Sequence, residues 1–244
     1  MKTHDLTAMN PSTLAIRQSF KTTIIFGALF ILLLIFAAGC DENGGITVPS
    51  GATELTVSMK SDYATDNITI TEAKALITEI QYERESSGRN QLHHTGPFVI
   101  NFSLSGSLRE LLTGYIVRDK YTKVKFQIHK PEDNETVSDP EFKEGTGENQ
   151  RYSFIIKGVY NGASFIYKTK KSMNLVISMN KVINVNLKKQ NITVALNETG
   201  WFKNESVELN PNDPNNANII DENIKNSFKT SFLDDNKDGV PDDN

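Results

Sequence analysis

The chain predicts an all-β fold, an antiparallel β-sandwich of the transthyretin or immunoglobulin kind with one short C-terminal helix. Three observations lead there. Apolar residues recur at every second position in many short segments rich in Ile, Val, Phe and Tyr, which is how half-buried strands read. Asn161-Gly162 lies between two such segments and supplies the positive φ that both central residues of a type I′ hairpin turn need. Helical spacing sustained over several turns is confined to one stretch near the C-terminus, so many strands with polar turns and few helices favour a sandwich.

Taken in order, Leu55, Val57 and Met59 predict a first strand. Residues 67–82 alternate through Ile68 and Ile70, while Ala73, Leu76, Ile77 and Ile80 also fit a helical face with Thr69 and Glu72 as a capping box; a long bulged strand is preferred. Phe98, Ile100, Phe102 and Leu104 predict the next strand. A short helical turn is expected over residues 107–112, capped by Ser107 and Glu110 and ended by Gly114. Val124, Phe126 and Ile128 mark another strand. Residues 129–150 then form a long loop carrying Glu132, Asp133, Glu135, Asp139, Glu141, Glu144 and Glu148, expected to be solvated and available as contact surface. Residues 152–160 and 163–169 form the hairpin, and residues 175–179, 182–187 and 192–196 continue the alternation. Trp201 and Phe202 follow Gly200 and read as core, with a carbohydrate-stacking platform as the alternative. Ala217, Ile220, Ile224, Phe228 and Phe232 recur at three- and four-residue steps, with Asp221 and Glu222 early and Lys229 late, which predicts an amphipathic helix matched to its dipole.

Ahead of this β-rich region lies an export leader. Arg17 and Lys21 are basic, the 15 residues from Ile24 to Ala38 are apolar or glycine, and Ala37-Ala38-Gly39 precede Cys40, the single cysteine among 244 residues. A membrane span needs about 20 apolar residues, so the run reads as a cleaved signal. Small residues directly before a cysteine leave room for the peptidase and expose the thiol to a lipid donor. The expectation is a bacterial lipoprotein in which Cys40 carries diacylglycerol on sulfur and an acyl chain such as palmitate on its amine, enough hydrophobic signal for stable anchoring. Met9 is an alternative start to Met1. The layout becomes a signal peptide over 1–39, a lipidated tether over 40–53, a sandwich domain over 54–202, a linker and helix over 203–233 and an acidic tail over 234–244.

Removing a leader with Lys2, Arg17 and Lys21 against Asp5 moves the net charge from -4 to -6. An acidic domain without a basic stripe would be repelled by nucleic acid. With Cys40 acylated no disulfide can form, so the mature chain rests on an ordinary core.

Asp234-Asp235-Asn236-Lys237-Asp238-Gly239 places oxygen ligands at alternate positions and glycine at the sixth, as the turn of a calcium loop requires. The Val240 carbonyl takes the seventh place and Asp242 the ninth; a closing ligand would come from Asp243, another loop or water. A solvated acidic tail is the alternative. His93-His94 offers two metal ligands, but adjacent strand residues face opposite ways and no third ligand is evident. No nucleophile elbow, phosphate-binding glycine loop, zinc spacing or convincing carboxylate pair is present, so a non-catalytic role is expected.

The segments ITITEAKALITEIQYE, GPFVINF, YTKVKFQIHK, SFIIKGVYNGASFIYKTKKS and NIKNSFKTSFLDDNKDGVPD together resemble a Bacteroidetes-type family of envelope lipoproteins, a domain of unknown function. The resemblance implies a β-sandwich on the outer membrane, facing the cell surface or the periplasm, and brings no catalytic residues. In such bacteria acidic residues directly after the lipidated cysteine resemble a surface-export signal, and Asp41 and Glu42 occupy those places. In enteric bacteria an aspartate there would instead imply retention at the inner membrane. The role expected is a lipid-anchored binding or structural module with a protein or glycan ligand; the alternatives are a pilus-like or envelope-assembly subunit and an envelope glycan hydrolase.

Overall fold

A computed structural model describes residues 50–62, 67–144, 151–186 and 189–242. All belong to one compact unit, Val48–Asn244. The expected leader, Cys40, the expected tether through Pro49 and Asp243 lie outside the described residues. Twelve strands are seen among the described residues: β1 (Ala52–Asp62), β2 (Ile68–Arg84), β3 (Asn90–Asn101), β4 (Arg109–Val117), β5 (Asp119–Ile128), β6 (Phe154–Tyr160), β7 (Ala163–Thr169), β8 (Met173–Val185), β9 (Lys189–Asn197), β10 (Lys203–Asn204), β11 (Val207–Glu208) and β12 (Phe228–Leu233). One α-helix, α1 (Ala217–Asn226), precedes β12. None of the described helices is long and apolar enough to cross a membrane.

The architecture is a curled mixed sheet. Strands follow the order β4-β1-β9-β12-β8-β5-β2-β6-β7, with β3 on the other edge of β2 and β10-β11 as a separate ribbon. The antiparallel expectation needs correction at two ladders, since β1 runs parallel to β9 and β12 parallel to β8. The second of these comes from the C-terminal strand. β12 inserts between β9 and β8, antiparallel to the first and parallel to the second.

The 17-residue β2 organises the molecule. Residues up to Ala75 pair with β6, and those from Ile77 onward pair with β5, on the same edge. Bulges at Thr71 and Thr78 each add a residue, so the inward positions run Ile68, Ile70, then Ala73, Ala75, Ile77, then Ile80 and Tyr82. Those parity changes are what made the segment look helical. At the junction, Leu76 receives the His129 amide on its carbonyl at 3.2 Å and donates its own amide to Ser153 at 2.9 Å. The chain between β5 and β6 therefore starts and ends at one residue.

That connection is not the solvated loop expected of it. Phe142 is fully buried with Leu76 and Ile155 on the face of β2 opposite the main core, and Val99, Val137 and Tyr152 pack against them. Residues 145–150 lie outside the described residues. The helical turn expected over residues 107–112 is also absent. The Ser103, Ser105 and Ser107 hydroxyls bond one another at 2.7–3.2 Å, and Arg109 opens β4 against β1.

The hairpin follows its turn chemistry, with Asn161 at φ 49° and Gly162 at φ 78° joining β6 to β7. Gly158 has no room for a side chain, because a Cβ there would lie 2.2 Å from the Thr69 carbonyl. Trp201 is fully buried, edge-on to Phe102 and Phe154, so the stacking-platform alternative falls and the core reading stands. The C-terminal helix is shorter than its periodicity. It ends at Asn226, where the Ser227 hydroxyl bonds the Ile224 carbonyl at 2.6 Å, and Phe228 and Phe232 belong to β12 instead.

Candidate functional site

Four places bring chemistry-bearing residues together. On the solvent face of the sheet, β2, β5 and β8 form a shallow concavity of about 220 Å³ lined by Glu79, Gln81, Lys125, Gln127, Asn174 and Val176. Alternation puts these side chains outward while Phe126 and Leu175 between them stay in the core. Lys125 is held at the rim by Glu83 at 2.7 Å and Asn90 at 2.8 Å. Thr78 donates to the Gln127 amide oxygen at 3.0 Å. Val176 is 59 % exposed in the middle of this polar surface. It is a rigid, mixed polar and aliphatic contact surface on strands.

The second place lies over the buried Phe142. The Lys74 ammonium, its side chain 7 % exposed, meets Asp139 at 2.5 Å, Glu141 at 2.6 Å and Glu72 at 3.0 Å. Burial opposes its charge, but bonds to the three carboxylates overcome that and hold Lys74 well above the usual lysine range. Burial alone would raise the Glu141 carboxyl; hydrogen bonds from Lys157, Lys74 and Lys168 outweigh it and bring the carboxyl down to about 2. Every charge has a partner, so this cluster clamps the connection onto β2.

The C-terminal loop is the third. Asp234 is fully buried at the end of β12. Its carboxylate accepts from Thr193 at 2.7 Å, the Asp238 amide at 3.0 Å and the Gly239 amide at 3.1 Å. The Asn191 side chain donates to the Asp234 carbonyl at 2.8 Å and accepts from Ser58 at 2.7 Å. The residues expected to hold calcium thus divide. Asp234, Asn236 and Asp238 surround one turn, with Asn236 and Asp234 both accepting from the Asp238 amide and Gly239 left-handed at φ 77°. Asp242 instead turns its carboxylate to the Asp235 amide at 2.5 Å and gives its carbonyl to Lys181 at 3.0 Å. Val240 is 55 % exposed and donates its amide to Asp238 at 2.8 Å. Lys60 sits against the Gly239 carbonyl at 3.4 Å. Among the described residues no three His, Cys, Asp or Glu side chains are arranged to hold a metal ion. Burial, followed by the charges of Asp242 and Asp234, pushes the Asp235 carboxyl up despite the opposing Asn191 amide.

The fourth place is built on His93, which the sequence offered with His94 as a metal pair but whose niche no local pattern indicated. His93 sits in a bulge of β3: Leu92 pairs with Gln81 and His94 with Ile80, leaving His93 without a cross-strand partner. The two adjacent histidines diverge as expected, His94 lying edge-on to Phe98 and His93 turning toward Tyr82, ring centroids 5.3 Å apart. Neither His93 nitrogen nor the fully buried Tyr82 hydroxyl makes a hydrogen bond of good geometry. Burial first, then the charge of His94, brings His93 down to about 4; a backbone group of Leu55, near but poorly aligned, resists only partly.

No family model and no curated protein matches the chain. Among solved structures it is similar to MbnP from Methylosinus trichosporium, at 8 % identity and a TM-score of 0.34, over 59 % of this chain and 75 % of that one. A likeness of that size carries no argument about activity.

Proposed function

We propose that this protein is a non-catalytic binding module of the bacterial cell envelope, anchored to the outer membrane by acyl chains on Cys40 and presenting the β2-β5-β8 face to a protein or glycan ligand. The observation that carries the reading is Ala37-Ala38-Gly39-Cys40 directly after a 15-residue apolar run. The outer concavity supports the binding part, because its side chains stand on paired strands and are oriented before any ligand arrives. The sandwich class belongs to the same proposal at the level of a core enclosed between sheet faces, without a purely antiparallel topology.

The test is fractionation with protease treatment of intact cells. The natural chain should pellet with membranes, and Cys40→Ser should release the mature domain. Loss of the domain from intact cells while a periplasmic control survives places it on the surface; its protection there excludes surface presentation. A Cys40→Ser variant that still pellets overturns the anchor.

A second reading, an envelope-assembly subunit, is favoured by β7, which among the described residues pairs on one side only and exposes Ile166 at 57 %. An assembly subunit forms ladders in unboiled membrane extracts, whereas a binder runs as a monomer. Calcium at the C-terminal loop is a separable part of the proposal; it rests on the alternate spacing of Asp234, Asn236 and Asp238 and on the turn they share, in which Asp234 and Asn236 both accept from the Asp238 amide. At about a hundredfold excess over Kd, bound calcium would add roughly 2.7 kcal/mol. An unchanged melting temperature in millimolar calcium removes it.

A further inference from the structure

The curled sheet brings β3 alongside β4 without a shared ladder among the described residues. What fills this seam is the His93 imidazole. It occupies a niche that only glycine can provide, since a Cβ on Gly114 of β4 would stand 2.7 Å from both Cδ2 and Nε2 of the ring. Gly114 is itself the ladder partner of Leu55 in β1, so the ring plugs the joint between the β2-β3 edge and the β1-β4 edge. Among the described residues no backbone hydrogen bonds cross that joint, and side-chain packing holds it.

We propose that the β3-β4 seam is an acid-operated latch: neutral His93 keeps it closed, and protonation of that ring opens it. The physical ground is a missing partner. Around the imidazole, β2 contributes Tyr82, with Tyr121 of β5 edge-on behind it at 5.8 Å, and β3 contributes His94. From β1 and β4 come only the Leu55 backbone and Gly114. None of these is a carboxylate; the Leu55 backbone alone favours an imidazolium, and it does not offset the burial of the ring and the charge of His94. A buried unpaired cation is expensive, and the least costly relief is to swing the unladdered edge away and let water in. The bulge favours this movement, because His93 has no cross-strand pair to break. His93 is held neutral to about 4, against 6.5 when solvated, so the open state binds more protons between those values. Closure is therefore strongest above pH 6.5 and weakens as pH falls toward 4. Linkage over that window makes the opening equilibrium roughly twentyfold more favourable at pH 5 than at pH 7.

Hydrogen exchange on the folded protein, corrected for intrinsic amide rates, reads the latch directly. Between pH 7 and pH 5, protection at β4 amides of residues 112–116 should fall about twentyfold more than at β9 amides of residues 192–196. In His93→Gln, neutral at both values, that differential should vanish. Equal loss at both strands in the natural chain, or a differential that survives His93→Gln, overturns the proposal. Should His93→Gln fail to fold, NMR titration of the His93 ring in the natural protein decides. A midpoint near 4 sustains the latch, and one at 6.5 or above removes it.

Discussion

At the scale of single residues, the buried Asp234 carboxylate fixes the last loop to the sheet. Asp234 joins β1, β9 and β12 to the last loop through Thr193, Asn191 and two backbone amides. Replacing it with alanine leaves Thr193 and the Gly239 amide without this acceptor and the Asp238 amide with Asn236 alone. Asp234→Ala should lose about 2–3 kcal/mol in urea denaturation, and Asp234→Asn, which keeps one acceptor, should lose less. Variants as stable as the natural chain would mean that the loop hangs free of the sheet. Some of this was legible: Asn161-Gly162 and Gly239 need positive φ whatever surrounds them, and both have it. The niche for His93 was not. It depends on Gly114, which sits 21 positions later and meets the ring only because the sheet curls.

At the scale of elements, the connection between β5 and β6 behaves as a folded strap. Lys74 lies under it, and Glu141 joins Lys74, Lys157 and Lys168 at 2.6, 2.8 and 3.3 Å. Because Glu141 is held at about 2 against an ordinary 4.5, its contribution is fully present above pH 4.5 and is lost as pH falls through 2. Glu141→Gln should therefore lower stability by about 2 kcal/mol at neutral pH and very little near pH 2. Limited proteolysis should then cut the strap faster in the variant at neutral pH; equal cutting at both pH values would show that the ion cluster does not hold it. The acidic composition of this stretch predicted solvent exposure, because composition records charge and not the cations supplied by other strands. Lys74, Lys157 and Lys168 come from β2, β6 and β7. The helix boundary has a similar cause. Phe228 and Phe232 continue the helical spacing of Ile220 and Ile224, yet the gap between β9 and β8 offers backbone partners to an extended segment and takes them into the sheet.

At the scale of the whole molecule, the chain closes its sheet with its last strand. β12 contributes Phe228, Phe232 and Leu233 to buried positions and gives β8 and β9 a common neighbour. Ending the chain before residue 228 would expose two long edges at once. That truncation should abolish the cooperative urea transition, while one ending at residue 233 should keep a cooperative transition at lower midpoint. If the longer deletion still unfolds in a single sharp step, the sheet does not depend on β12.

The sequence by itself determined what local chemistry decides. That covers the β class, from period-two alternation; the β6-β7 hairpin, from its two turn residues; the bulged reading of β2; and the core reading of Trp201. Tertiary structure alone decided the parallel placement of β12, the buried strap and the His93 seam. The division has one physical reason. Turn geometry and side-chain alternation act over a few residues, whereas strand order and the partners of buried charges depend on segments far apart in the chain, whose meeting no local pattern encodes.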